Sequence, residues 1–236
     1  MAARLGRPTG TAGTAGARLP QVLRHGSVAL VALTVAVAIV TGLLIPDVVP
    51  YGFFQEGGPV ETLTVAFYVV AGIGMLVLPR QATHWPERIA VCIVLCAFAA
   101  RELDLHKAMF GISILKSRFY NRDGTPTQIE EALAVLAPIA ASLLWLALRR
   151  GRIWWRDLRA GRTWAVTVLL AMGAVVVAQC FDRAPDVLDD WFRIAVPEAL
   201  RYVLQGMEES LEMLIPVLVG WAAWQAVPRG TDACAR

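Results

Sequence analysis

The chain has 236 residues and is 57% hydrophobic before its 19 glycines are counted, against about 45–50% for soluble domains with glycine included. Only 17% of residues are charged and the formal net charge is +3, which excludes a disordered chain, a nucleic-acid-binding domain with a basic face, and a long coiled coil. The 4 cysteines lack the paired spacing of a disulfide scaffold or a zinc ribbon.

Six segments are apolar enough, or nearly long enough, to cross a bilayer, which takes about 20 helical residues. They cover residues 27–46, 59–78, 88–106, 129–148, 163–181 and 208–227. The first follows a long polar leader, and no small-residue cleavage pattern comes after Ile45, so it reads as a retained span. The spacing Thr127 to Glu130 predicts a capping box at the start of the fourth, and Pro59 and Pro197 fall where a first helical turn tolerates proline. Pro138 and Pro216 lie inside spans four and six, where a bend is expected. Between spans five and six, Val187, Leu188, Trp191 and Ala195 oppose Asp186, Asp189, Asp190 and Arg193, the pattern of a helix lying in the interface. The expected fold is therefore all-α: an integral membrane bundle of six transmembrane helices with an outer interfacial amphipathic helix. Residues 1–26 form a flexible cytoplasmic tail, 27–227 the six-span domain, and 228–236 a second cytoplasmic tail.

Orientation follows the arginines. The N-terminal tail, Arg80 and Arg88, the run Arg149 to Arg162, and the C-terminal tail all fall on one side, which the positive-inside rule makes cytoplasmic together with both termini. Most of the 8 tryptophans sit near predicted span ends, as an interfacial belt requires. The Arg149–Arg162 loop, with Trp154 and Trp155 interleaved, reads as a segment resting on anionic lipid, so membrane lipids are expected partners and nucleic acid is not.

Acidic residues gather on the opposite side: all except Glu87, Asp157 and Asp232 lie in outer loops or at the outer ends of spans. Span three has an uninterrupted apolar run only from Ile89 to Ala100, and span six only from Met213 to Val227, so each must carry charge into the outer part of the bilayer. Intramembrane charge costs about 2.5–3.5 kcal/mol at mid-depth and is usually found facing a bundle interior with partners. At helical spacing Glu102 and His106 share one face, while Arg101, Asp104 and Lys107 share another that neutralises itself. Gln205, Glu208, Glu209 and Glu212 fall within about 100° of arc on span six. Glu61, Thr64, Tyr68 and Gly72 line one side of span two, and Gln179 and Asp182 end span five.

Close carboxylates need shared protons, a counter-charge or a metal ion. An oxygen-rich set with one imidazole suits a divalent cation held by some of Glu61, Glu102, His106, Glu208, Glu209 and Glu212. Glu102, His106 and Glu208 are the candidate catalytic residues, and the cations Lys116, Arg118 and Arg122, which break the inside-positive trend, are candidates to hold a substrate headgroup. The expected activity is divalent-metal-dependent hydrolysis or group transfer on a lipid-like substrate at the outer face. A cation- or proton-coupled carrier or channel, and a non-catalytic membrane subunit, are the alternatives.

The string Arg101-Glu102-Leu103-Asp104-Leu105-His106-Lys107, then Leu115 to Tyr120, then Glu208-Glu209-Ser210-Leu211-Glu212-Met213-Leu214-Ile215-Pro216, resembles a family of bacterial multi-pass inner-membrane proteins. The start of span two, Glu56-Gly57-Gly58-Pro59-Val60-Glu61, is similar to that family's Glu-x-Gly-Pro-x-Glu pattern with one extra glycine. The resemblance covers roughly residues 50–227 and implies six spans in the inner membrane, without implying a chemistry. Membrane hydrolases of the alkaline-ceramidase type also gather acidic and histidine ligands within helices, but this sequence offers one well-placed histidine.

Overall fold

The computed structural model describes residues 18–44, 54, 57–78, 84–114 and 117–227, with no strand among them. In chain order the helices are α1 (Arg18–Leu44), α2 (Pro59–Val77), α3 (Trp85–Glu102), α4 (Leu105–Phe110), α5 (Pro126–Arg159), α6 (Thr163–Phe192) and α7 (Glu198–Gln225). A π-helical turn, Phe119–Asp123, precedes α5. Helices α2, α5 and α6 are long and apolar enough to cross a membrane, and α1 contains a shorter apolar stretch, Gly26–Thr41. That is the character of a membrane protein. The charges of α3 and α7 set them apart, as Arg101 and Glu102 in the one and Glu208, Glu209 and Glu212 in the other interrupt the apolar runs.

Helix α7 is the centre of the bundle and packs on α1, α2 and α6, while α3 lies between α2 and α5. The core is built from Tyr68, Ala71 and Met75 of α2, Leu95 of α3, Ala171, Ala174 and Ala178 of α6, and Leu211, Leu214, Ile215 and Leu218 of α7. The three alanines recur at i, i+3 and i+7, so α6 turns a small-residue stripe to its neighbour and the two backbones approach closely. Pro138 and Pro216 sit inside α5 and α7 and end neither helix.

Several local expectations shift. The capping box at the start of α5 is Thr125 with Gln128, two residues before the expected Thr127 start, because Pro126 occupies the first helical position. Residues 186–192, expected as a separate interfacial helix, are the last turns of α6, which runs unbroken through Pro185 to Phe192. Helix α7 likewise starts at Glu198, ten residues before the apolar segment, so α6 and α7 form a hairpin closed by Arg193 in the left-handed conformation (φ 54°). Helix α3 stops at Glu102, short of the expected residue 106, where Asp104 takes φ 48° and the short α4 begins in a new direction.

The arginine-rich end is tied together by side chains. Arg88, 2% exposed, donates to the carbonyl of Leu78 at 2.5 Å and so satisfies the C-terminus of α2. The Arg150 guanidinium grips Glu87 with both forks, joining α5 to α3, and its Nε–Oε1 distance is 2.6 Å. Trp164 Nε1 donates to Asp157 at 3.2 Å, Trp154 Nε1 donates to the Ala165 carbonyl at 3.0 Å, and Thr167 donates to Gln225 at 2.8 Å.

A second, smaller core of Phe110, Ile114, Phe119 and Ala132 seats the π-turn against α5. Gly124 closes that turn with its N–H on the Phe119 carbonyl at 2.8 Å, and a Cβ at Gly124 would stand 2.8 Å from the same oxygen. Gly124→Ala is therefore expected to cost about 1–3 kcal/mol, read as a lowered thermal midpoint in detergent. An unchanged midpoint would show that the turn relaxes freely.

Candidate functional site

The charged C-terminal end of α3 meets the acidic middle of α7 inside the bundle. Arg101 Nη2 lies 2.5 Å from Glu212 Oε1, with the Arg101 side chain 31% and the Glu212 side chain 5% exposed. From α6, the Gln179 amide oxygen, turned toward the guanidinium, accepts from both Arg101 Nη1 and Nη2 at 3.2 Å. Glu102, next along α3, lies within electrostatic reach of Glu212 and Glu209.

Around the Arg101–Glu212 pair the charge is unbalanced. Glu208 stands in the field of Asp182, Glu212, Glu209 and Arg101, so one guanidinium faces several carboxyl groups from α3, α6 and α7. From α2, Tyr68 reaches the same field of Glu102, Glu212 and Arg101, its ring stacked on Phe98 at 5.7 Å between centroids. The Tyr68 hydroxyl and Glu102 Oε1 are both buried without a hydrogen-bond partner. A buried polar atom left unpaired costs about 1–3 kcal/mol, and two such atoms stand beside one ion pair.

The helices continue on both sides of the site. Below its level, Ala71 and Met75 of α2, Leu95 of α3, Ala174 of α6, and Leu214 and Leu218 of α7 form a continuous apolar layer. On the other side α6 and α7 continue for about 13 residues beyond Gln179 and Glu212 respectively, or roughly 20 Å.

The expected site residues divide accordingly. Glu102, Glu208, Glu209 and Glu212 come together around Arg101. Glu61 does not join them, since its carboxylate accepts from the Gly57 N–H at 2.6 Å and serves the start of its own helix. His106 does not share a face with Glu102, because Asp104 breaks the helix between them; partial burial, with Lys107 and Arg101 near, holds its imidazole below the usual histidine range against the pull of Asp104. The expected self-neutralising face is also divided: Lys107 pairs with Asp104 at 2.6 Å, and Arg101 pairs across the bundle. Arg118 pairs with Asp123 at 2.7 Å and Arg122 is exposed on the same turn, seated on the smaller core, while Lys116 lies outside the described residues. Among the described residues no group of three or more His, Cys, Asp or Glu side chains is placed to hold a metal ion.

Tyr68 and Gln179, singled out by their positions on spans two and five, both reach the centre: Tyr68 lies on the buried face of α2 with Thr64, Ala71 and Met75, and Gln179 lies at the edge of the buried face of α6.

No protein-family model matches the chain, and neither a curated protein nor a solved structure matches it.

Proposed function

We propose that the chain is a bacterial multi-pass inner-membrane protein, with six helices across the bilayer and both termini cytoplasmic. Its Arg101–Glu102–Glu212 centre is an acid–base site, open to the outer side, for hydrolysis or group transfer on a lipid-like substrate. The observation that carries this reading is the pair of buried unpartnered atoms, Glu102 Oε1 and the Tyr68 hydroxyl, beside a guanidinium fixed by Glu212 and Gln179.

The chemistry uses these groups in turn. Glu102 accepts a proton from an attacking water or alcohol as its oxygen bonds to an acyl or phosphoryl centre. Arg101 meets the negative charge that develops on the substrate oxygen. The proton then passes to the leaving oxygen as its bond to the centre breaks, with Glu212 holding the exchange in place. The ionisable groups suit a lipid if α3 and α7 cross the bilayer as proposed, because exposed apolar positions such as Leu103 and Val69 adjoin them in sequence.

A divalent cation would have to be held by Glu102, Glu208, Glu209 and Glu212, and these side chains as placed do not converge as a set of three donors. In this reading Glu102 and Arg101 carry the chemistry without a metal. Elemental analysis of the purified protein is expected to find no near-stoichiometric metal, and chelation should leave turnover unchanged. Bound metal lost in a Glu102→Gln, Glu208→Gln double variant would turn the site into a metal centre.

The carrier reading needs a polar route on from the site, and the apolar layer of Met75, Leu95, Leu214 and Leu218 closes it. Proteoliposomes under an imposed pH gradient are thus expected to pass protons no faster than empty vesicles while lipid products accumulate. Proton flux abolished by Glu102→Gln, with no product formed, would transfer the site to a carrier.

A further inference from the structure

Helix α5 continues past what a bilayer needs. Its 34 residues extend about 51 Å at 1.5 Å each, against about 30 Å of hydrocarbon. Counted from Pro126, it leaves a layer of that thickness near Leu148. Beyond that point Arg149, Arg152, Arg156 and Arg159 recur at spacings of three, four and three residues, which places them within about 80° of arc. All four are exposed.

The opposite face fixes this stripe. Arg150 holds Glu87, Trp154 donates to the Ala165 carbonyl, and Asp157 receives Trp164, so the helix end cannot rotate the arginines inward. Among the described residues the acidic groups at this end are Glu87 and Asp157, both buried and both already engaged by arginine. Arg156 also reaches Asp157 at 3.1 Å. Leu148 and Trp155, 72% and 50% exposed, border one edge of the stripe, and Arg159 lies 4.9 Å over the Trp155 ring.

We propose that this stripe is a docking surface for the headgroups of anionic phospholipids. Guanidinium groups pair with phosphate oxygens in a planar fork, and an exposed Trp and Leu at the same height suit the boundary between headgroups and acyl chains. The surface stands at the far end of the bundle from the Arg101 centre and does not depend on what that centre does.

The test uses the full chain in phosphatidylcholine vesicles doped with spin-labelled phosphatidylglycerol or spin-labelled phosphatidylcholine, reading the share of each label immobilised at the protein. The wild type is expected to favour the anionic label several-fold, by about three- to ten-fold at low salt, and less at high salt. Arg149→Gln, Arg152→Gln, Arg159→Gln together should bring the ratio close to one, leaving Arg150–Glu87 and Arg156–Asp157 intact. Arg201→Gln, exposed on α7 at the other end, should leave it unchanged. If the triple variant does not fold, Arg152→Gln alone still has to lower the ratio. Equal immobilisation of both labels by the wild type, or a preference untouched by these variants, would overturn the proposal. So would a fluorescent single-stranded RNA that binds in neutral vesicles with the same arginine dependence while the lipid labels show no preference, since the stripe would then be a nucleic-acid surface.

Discussion

Arg101→Gln is expected to destabilise the bundle more than Glu212→Gln does, although the two residues form one ion pair. Removing one partner of a buried pair costs about 3–5 kcal/mol, because the other charge is left uncompensated. Here the two losses differ. Glu212→Gln leaves Arg101 facing Glu102, Glu208 and the Gln179 amide, so the guanidinium keeps most of its environment. Arg101→Gln leaves Glu102, Glu208, Glu209 and Glu212 in one another's field with their cation gone. The expected cost is about 3–5 kcal/mol for Arg101→Gln and about half of that for Glu212→Gln, whose partner is already 31% exposed. Acidification neutralises carboxylates and should narrow the gap. Thermal unfolding in detergent across a pH series measures both effects, and an equal or reversed order would show that the carboxyl groups are balanced by something other than Arg101.

Glu102→Gln carries the largest functional effect. The carboxyl is buried beside Glu212 and Arg101, and its Oε1 has no hydrogen-bond partner, which is the arrangement of a proton acceptor awaiting a substrate. The amide keeps the shape and loses the proton exchange. General acid–base groups contribute about 10²–10⁴-fold to rate, so turnover is expected to fall by at least about 100-fold with KM little changed. Stability should hold or rise, because one surplus carboxyl is gone from a crowded site. Loss of turnover in parallel with loss of fold would instead make Glu102 a structural residue.

The class of the fold was legible from composition because the bilayer demands continuous apolar helices, and α2, α5 and α6 satisfy that demand with little interruption. The ends of helices were less legible. Residues 186–192 carry the alternation of a separate interfacial helix, and whether they continue α6 depends on the following Arg193 turn and on α7 rising beside them. Periodicity alone does not register that packing.

The site was legible as a neighbourhood rather than as a geometry. Charge interrupting apolar runs points to Glu102, Glu208, Glu209 and Glu212, and these stand in one another's field. His106 was assigned with them on the premise of an unbroken helix. Asp104 in the left-handed conformation ends that premise, and non-glycine residues reach this region too rarely for a sequence to announce it. The same break separates Arg101 from Asp104 and Lys107, which leaves its guanidinium to seek Glu212 on another helix. Glu61 lies on the same face of α2 in sequence, but the Gly57 N–H ahead of Pro59 holds its carboxylate.

The most direct measurement is a mass-spectrometric search for lipid products in proteoliposomes of mixed bacterial phospholipids, run with the wild type, Glu102→Gln and Tyr68→Phe. The account predicts a released acyl chain or headgroup with the wild type, at least about 100-fold less with Glu102→Gln, and an intermediate loss with Tyr68→Phe, which removes only the unpartnered hydroxyl. Product formation unchanged in Glu102→Gln, or no lipid product from a folded wild type, would contradict it.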